Sequence, residues 1–135
     1  MDEYIIYNTT YHILICRQCG YAIPQDGIMR HYRRFHKTIP LVMRQEIINY
    51  GLSLDLLQPS KVQELWETLN VNTTIKGLTV YSGFQCQYEG CVKYARTEIS
   101  MKQHCRETHN WVAKERIIWK KQQLQTIFGG QFGYH

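Results

Sequence analysis

Four cysteines and four histidines fall into two arrays of the same order, and that pattern constrains this chain more than any other feature. Cys16 and Cys19 are separated by two residues; eleven residues later come His31 and His36, separated by four. Cys86 and Cys91 are separated by four residues, and twelve residues on come His104 and His109, again four apart. Thiolates and imidazoles at these spacings can close a tetrahedral shell around one zinc ion per array. A single array is a weak signal, but two in 135 residues are specific. The expected cofactor is therefore two structural zinc ions, one on Cys16, Cys19, His31 and His36, the other on Cys86, Cys91, His104 and His109. Four protein donors leave no open position for water or substrate, so no enzyme is expected. Glu46, Glu64, Glu67, Glu98 and Glu107 lack an obvious catalytic partner, and there is no Gly-rich phosphate loop or Ser/His/Asp pattern.

The remaining composition sets the context for the metals. With 44% hydrophobic and 13% aromatic residues the chain can bury a core. No stretch has the length of a membrane span, and the first residues lack the basic and apolar regions of a signal peptide. An intracellular, reducing setting is expected, in which five cysteines point to metal rather than disulfides. Cys105 is left over. On a helix it points about 100° away from His104, and it is expected as a small buried thiol filling a gap. His12 and His135 lie outside both arrays and read as ordinary polar positions.

Local patterns place the arrays on elements. Residues 11–16 are β-branched and aromatic, as the first strand of a finger hairpin requires, with residues 4–7 pairing beside them across a turn at Asn8, Thr9 and Thr10. Pro24 and Gly27 mark the passage into a histidine-bearing helix, with Leu14, Ile23 and Ile28 as its small core. Phe84, Tyr94 and Met101 do the same for the second array. Each histidine pair is five residues apart, about 140° on an ideal helix, so both last turns must tighten or open. The 49 residues between the arrays predict helices rather than a passive linker. One starts near Pro40 and carries Met43, Ile47, Tyr50 and Leu54 at helical spacing, with Gly51 expected to end it. Another starts at a Ser60–Gln63 capping box and carries Val62, Leu65, Trp66 and Leu69. Periodicity does not decide helix against strand after His109, and residues 129–135 read as a chain end or a cut from something longer.

The expected fold class is α+β: two ββα fingers of the Cys2His2 type, joined by a helical segment and packed as one small zinc-bound domain. Its parts are a first finger with an N-terminal strand at 1–37, a helical connecting segment at 38–74, a second finger at 75–110, and a C-terminal extension packing on the fingers at 111–135.

Charge suggests the partner. The chain is basic, with a formal charge of +5 and a pI near 9.0. Arg30, Arg33, Arg34 and Lys37 surround the first histidine pair, and Lys114, Arg116, Lys120 and Lys121 follow the second. Arg30, Arg33, Arg34, Lys37, Lys102 and Lys120 are the candidate phosphate contacts, which makes DNA (or RNA) in the nucleus the leading partner. Neither a membrane nor a small-molecule substrate is expected. Base-reading positions, counted back from the first histidine, hold Pro24, Asp26, Gly27 and Arg30 in one finger and Thr97, Ile99, Ser100 and Gln103 in the other. Only Arg30 is a strong reader, so binding is expected to be dominated by the nucleic-acid backbone. The alternative is a zinc-stabilised protein-interaction or scaffold domain, with Tyr50, Trp66, Trp111, Trp119 and Phe128 either as an aromatic patch or, the reading preferred here, as core.

The segments 13–23, 30–37, 77–86 and 100–109, with Trp119 and residues 125–128, resemble in order the fungal family named after the orsellinic acid cluster protein D. The resemblance spans nearly the whole chain. It implies a two-finger zinc module, often near the start of longer fungal proteins, some of which look like helicases or mobile-element recombinases. It carries over the eight metal ligands only. Family members more often have two residues between the second cysteine pair, against four here, which changes the loop between Cys86 and Cys91.

Overall fold

Isoleucines at positions 5, 6, 13 and 15 favour extended backbone, because branching at Cβ suits a pleated, half-buried surface. The computed structural model, which describes residues 1–69, 74–91 and 93–128, places them in an antiparallel pair, β1 (Ile5–Asn8) and β2 (Ile13–Cys16). The turn between them is closed by the Tyr11 N–H donating to Asn8 Oδ1 at 2.9 Å, and His12 turns the chain with φ at 53°. β3 (Tyr21–Ile23) completes a three-stranded sheet in the order β1-β2-β3. A 3-10 turn, Gln25–Gly27, then leads into α1 (Ile28–Arg34).

The fold is α+β, with two small sheets, four helices among the described residues, and both Cys/His groups assembled. It falls into two compact units: Met1–Leu78 together with Ile127 and Phe128, and Thr79–Thr126. The connecting helices belong to the first unit. Residues 70–73 of the expected connecting segment, and the tail at 129–135 with His135, lie outside the described residues.

In the first unit the core gathers Leu14, Ile23 and Ile28 with Tyr32, Ile47 and Ile48. α2 (Leu41–Ser53) starts directly after Pro40, whose carbonyl accepts from the Arg44 N–H at 2.9 Å. It does not end at Gly51, as expected, but runs on to Ser53. The glycine is there for space: a Cβ on Gly51 would lie 2.9 Å from Ile28 Cδ1 and 3.1 Å from Leu14 Cδ2. Gly51→Ala would gain about 1 kcal/mol of helix propensity but lose about 1–3 kcal/mol to overpacking. A net loss near 1 kcal/mol is expected in urea denaturation of the first unit.

The Gln25 side-chain amide donates to the Gly51 and Leu54 carbonyls, so it satisfies the C-terminal end of α2. α3 (Pro59–Leu69) begins one residue before the expected capping box. Proline takes the first helical position, the Gln58 carbonyl accepts from Lys61 and Val62, and Ser60 therefore sits inside the helix. The Gln63 amide accordingly reaches forward to Glu67 at 3.2 Å. Val62 and Trp66 are buried on α3, while Leu65 is half-buried and Leu69 exposed. Ile127 also belongs to this unit, its carbonyl accepting from Ala22 at 2.7 Å.

The second unit has a sheet in the order β5-β4-β6, from β4 (Tyr81–Cys86), β5 (Tyr94–Ala95) and β6 (Trp119–Leu124), with α4 (Glu98–His109). The stretch that periodicity left open is thus a strand, antiparallel to β4, with Cys86 opposite Trp119. Thr97 caps α4 by accepting from the Ser100 N–H. The core holds Cys86, Ala95, Met101, Cys105, Trp111 and Trp119. The indole N–H of buried Trp111 is satisfied by the Arg116 carbonyl at 3.0 Å. Trp66, Trp111, Trp119 and Phe128 are all buried and Tyr50 is half-buried, so these aromatics are core rather than an exposed patch.

Candidate metal centres

The first centre is built where strand, turn and helix meet. Cys16 ends β2, and the turn after it closes through the Gly20 N–H donating to the Cys16 carbonyl at 2.8 Å. Gly20 has φ of 74°, a left-handed conformation that glycine adopts without steric cost, and it lets the chain double back with Cys19 beside Cys16. His31 lies on α1. The helix ends at Arg34, and His36 follows outside it, so opening the last turn overcomes the five-residue separation. The opening is held by Arg44, whose guanidinium donates to the carbonyls of Ile39 (3.0 Å), Tyr32 and Arg33 (both 3.4 Å). A cation at these free carbonyls also complements the helix dipole.

The second centre reaches the same end differently. Cys86 ends β4, and its N–H bonds the Lys93 carbonyl at 2.8 Å. The four-residue loop closes through the Cys91 N–H on the Tyr88 carbonyl, 2.9 Å. His104 and His109 both stay on α4. Here the last turn widens: the N–H groups of Asn110 and Trp111 converge on the Cys105 carbonyl, with Asn110 left-handed at φ 53°.

In each group the four donor atoms lie within 4.8 Å of one another, so each can hold a metal ion. In the first, Cys16 Sγ and Cys19 Sγ are each 3.3 Å from His36 Nε2, Cys19 Sγ is 3.7 Å from His31 Nε2, and the two Nε2 atoms are 2.9 Å apart. In the second, Cys91 Sγ is 3.3 Å from His104 Nε2. Buried His109 Nε2 has no hydrogen-bond partner, although Tyr88 stacks on its ring at 3.9 Å. An unpartnered buried nitrogen costs free energy unless something satisfies it, and a cation at the centre of the four donors does so.

The electrostatics suit a cation. Burial, and then His36, hold the His31 imidazole down at about 4, and burial also lowers His36. His104 is lowered by burial first and His109 second. These rings are therefore neutral at pH 7, with lone pairs free to bind. Burial pushes the Cys86 thiol up to about 11 and raises Cys19, so a metal must displace their protons. Metal binding at pH 7 is expected to release about two protons per centre, measurable by calorimetry in buffers of differing ionisation enthalpy. Acid should act in the other direction. His31 has a folded value below its ordinary 6.5, so its contribution to stability is whole above that pH and is lost as pH falls towards about 4.

The remaining candidates are distributed over both units. Arg30, Arg33, Arg34 and Lys37 are exposed and form no ion pair among the described residues. On α1 the three arginines stand at i, i+3 and i+4, on one face. Lys102 is half-buried and pairs with Glu98 at 3.4 Å, whereas Lys120 is exposed on β6 rather than on a helix. Pro24, Asp26 and Gly27 precede α1, so of the first finger's expected reading positions only Arg30 stands on that helix. In the second, Ile99 is 80% exposed and Gln103 is engaged with Glu107. Cys105 is fully buried beside Cys86, as a gap-filling thiol should be.

The family described as "Orsellinic acid/F9775 biosynthesis cluster protein D" matches residues 3–110, a span that includes all eight donors. This chain belongs to that family. A relative of the same description from Emericella nidulans is 33% identical over 124 residues, covering 92% of this chain but 23% of the relative. The chain thus spans less than a quarter of the length of the OrsD protein it matches. No solved structure matches it.

Proposed function

We propose that this OrsD-family chain is a two-zinc module that binds nucleic acid through its backbone. Zinc is supported by the donor set and its size. With Zn–S near 2.3 Å and Zn–N near 2.0–2.1 Å, tetrahedral angles put sulfur about 3.5 Å and nitrogen about 3.3 Å from a neighbouring nitrogen. The separations of 3.3 and 3.7 Å between sulfur and nitrogen in the first centre lie close to this, whereas the two Nε2 atoms, 2.9 Å apart, sit closer than a bound zinc would set them. The role of both ions is structural rather than catalytic, since each quartet fills the coordination shell.

The observation that carries the binding reading is the exposed arginine face of α1, free of acidic partners among the described residues. Residues 79–126 add eight Lys and Arg against four Glu, so most of the net charge of +5 lies there. Weak base-reading positions favour phosphate contacts over sequence recognition. A nuclear location follows from this reading. The test is titration of labelled duplex and single-stranded DNA at several salt concentrations. Replacing Arg33 and Arg34 with Ala is expected to weaken binding on all sequences and to lower the salt slope by about one per arginine. No binding at low salt, or binding indifferent to both substitutions, would reject it.

A protein-interaction role is the second reading, favoured by the exposure of Phe35 (67%), Leu41 (68%) and Val42 (73%). It expects those side chains, not the arginines, to govern binding.

A further inference from the structure

The two centres differ in what surrounds their sulfurs. β2 and β3 pair in a register that sets Tyr21 directly opposite Cys16, two residues beyond Cys19. Paired side chains on neighbouring strands share a face, with Cβ atoms about 4.5–5.5 Å apart. From the other side comes Tyr32, fully buried on α1, its ring 4.8 Å from that of His31 and 5.5 Å from that of His36. Tyr32 and Cys16 share one core cluster, and Tyr21 and Cys19 pack against it. The Tyr32 hydroxyl is buried with no partner in strict hydrogen-bond geometry, an expensive arrangement for a phenol. A thiolate held on a metal is the acceptor that would satisfy it.

We propose that Tyr32 donates its hydroxyl hydrogen to the Cys16 thiolate and Tyr21 to the Cys19 thiolate, and that these two bonds make the first zinc centre the tighter and less reactive of the two. This rests on the zinc reading above. The side chain of Tyr32 lies near Cys16 and that of Tyr21 near Cys19.

The second centre is built otherwise. Cys86 is helped by the backbone N–H of Tyr88, whose side chain lays its ring face on His109. Three of the four donor residues are buried in the first centre, but only Cys86 in the second. An O–H···S bond draws electron density from sulfur, so it lowers the sulfur's reactivity towards protons and alkylating agents. Groups one step removed from the metal commonly govern affinity by about 10–100-fold.

Two measurements on the zinc- and cobalt-loaded chain test this. Under limiting chelator, N-ethylmaleimide followed by peptide mass spectrometry should label Cys86 and Cys91 well before Cys16 and Cys19. Tyr32→Phe should speed labelling of Cys16, and Tyr21→Phe that of Cys19, by about tenfold, without changing Cys86. Each should also shift the sulfur-to-cobalt charge-transfer band of the first centre, a signature that ring packing alone would not move. Should Tyr32→Phe fail to fold, Tyr21→Phe carries the same test, because its half-buried ring tolerates the change. Equal labelling of all four ligand cysteines, or an unmoved band with both phenylalanines, would overturn the inference while leaving two zinc centres intact. Absence of any cobalt band would overturn the zinc assignment, and this inference with it.

Discussion

Stripping the metals with a chelator at neutral pH is expected to unfold residues 79–126 outright. Structural zinc sites in finger peptides contribute about 10–16 kcal/mol of apparent binding free energy, against about 5–15 kcal/mol for the total stability of a domain. The core of the second unit is small, and Cys86 is itself part of it beside Met101, Cys105, Trp111 and Trp119. Trp111 and Trp119, edge to face at 4.9 Å, report on it directly. Their emission should shift to the red as metal leaves, together with a loss of helix in circular dichroism. The first unit should respond less, because Leu14, Ile28, Ile47 and Ile48 are each at most 1% exposed and pack without any metal. Trp66→Phe removes that unit's reporter and keeps the two signals apart. A tryptophan emission unchanged by complete metal loss would show that apolar packing alone holds the second unit.

Gly83→Ala is expected to be the most damaging single methyl in the chain. Gly83 sits in the central strand β4, opposite Gln122 on β6. A Cβ there would meet Leu124 Cδ1 in severe overlap and the Ala95 backbone carbonyl at 2.7 Å. Gly51 differs because its obstacles are the ends of flexible side chains. At Gly83 one obstacle is backbone, fixed by the β4–β5 ladder, so relief must break sheet pairing. The cost should reach about 3 kcal/mol, the upper range for overpacking, and metal affinity at Cys86, three residues along the strand, should fall with it. Equilibrium unfolding of the zinc-loaded variant measures both. A loss below about 1 kcal/mol would mean that the sheet adjusts more freely than its register implies.

How far the sequence could be read depended on the kind of signal. The eight donors were legible because metal coordination fixes residue type and spacing at once, and both quartets converge. The β1–β2 hairpin and the apolar positions Leu14, Ile23, Ile28, Phe84 and Met101 were legible because local alternation and turn residues encode them. Gly51 misled because a glycine chosen for close packing looks the same as one chosen to end a helix. Ser60 misled because the proline before it was the stronger start. Tyr21 and Tyr32 passed unnoticed, since nothing in their spacing says where a hydroxyl points. A register argument from Cys16 across the turn to Tyr21 would have flagged the first of them.

Residues 119–124 draw the same line most sharply. Their sequence, Trp-Lys-Lys-Gln-Gln-Leu, buries only its two ends, and neither helical nor strand periodicity can claim it. It becomes a strand because β4 offers an unpaired edge whose backbone groups need partners, and only the folded chain supplies that edge. Sequence by itself determined which atoms can take a metal, for the chemistry lives in the side chains. Tertiary structure decided which hydroxyls, cations and strands surround those atoms, since such neighbours come from distant positions whose proximity no local pattern records.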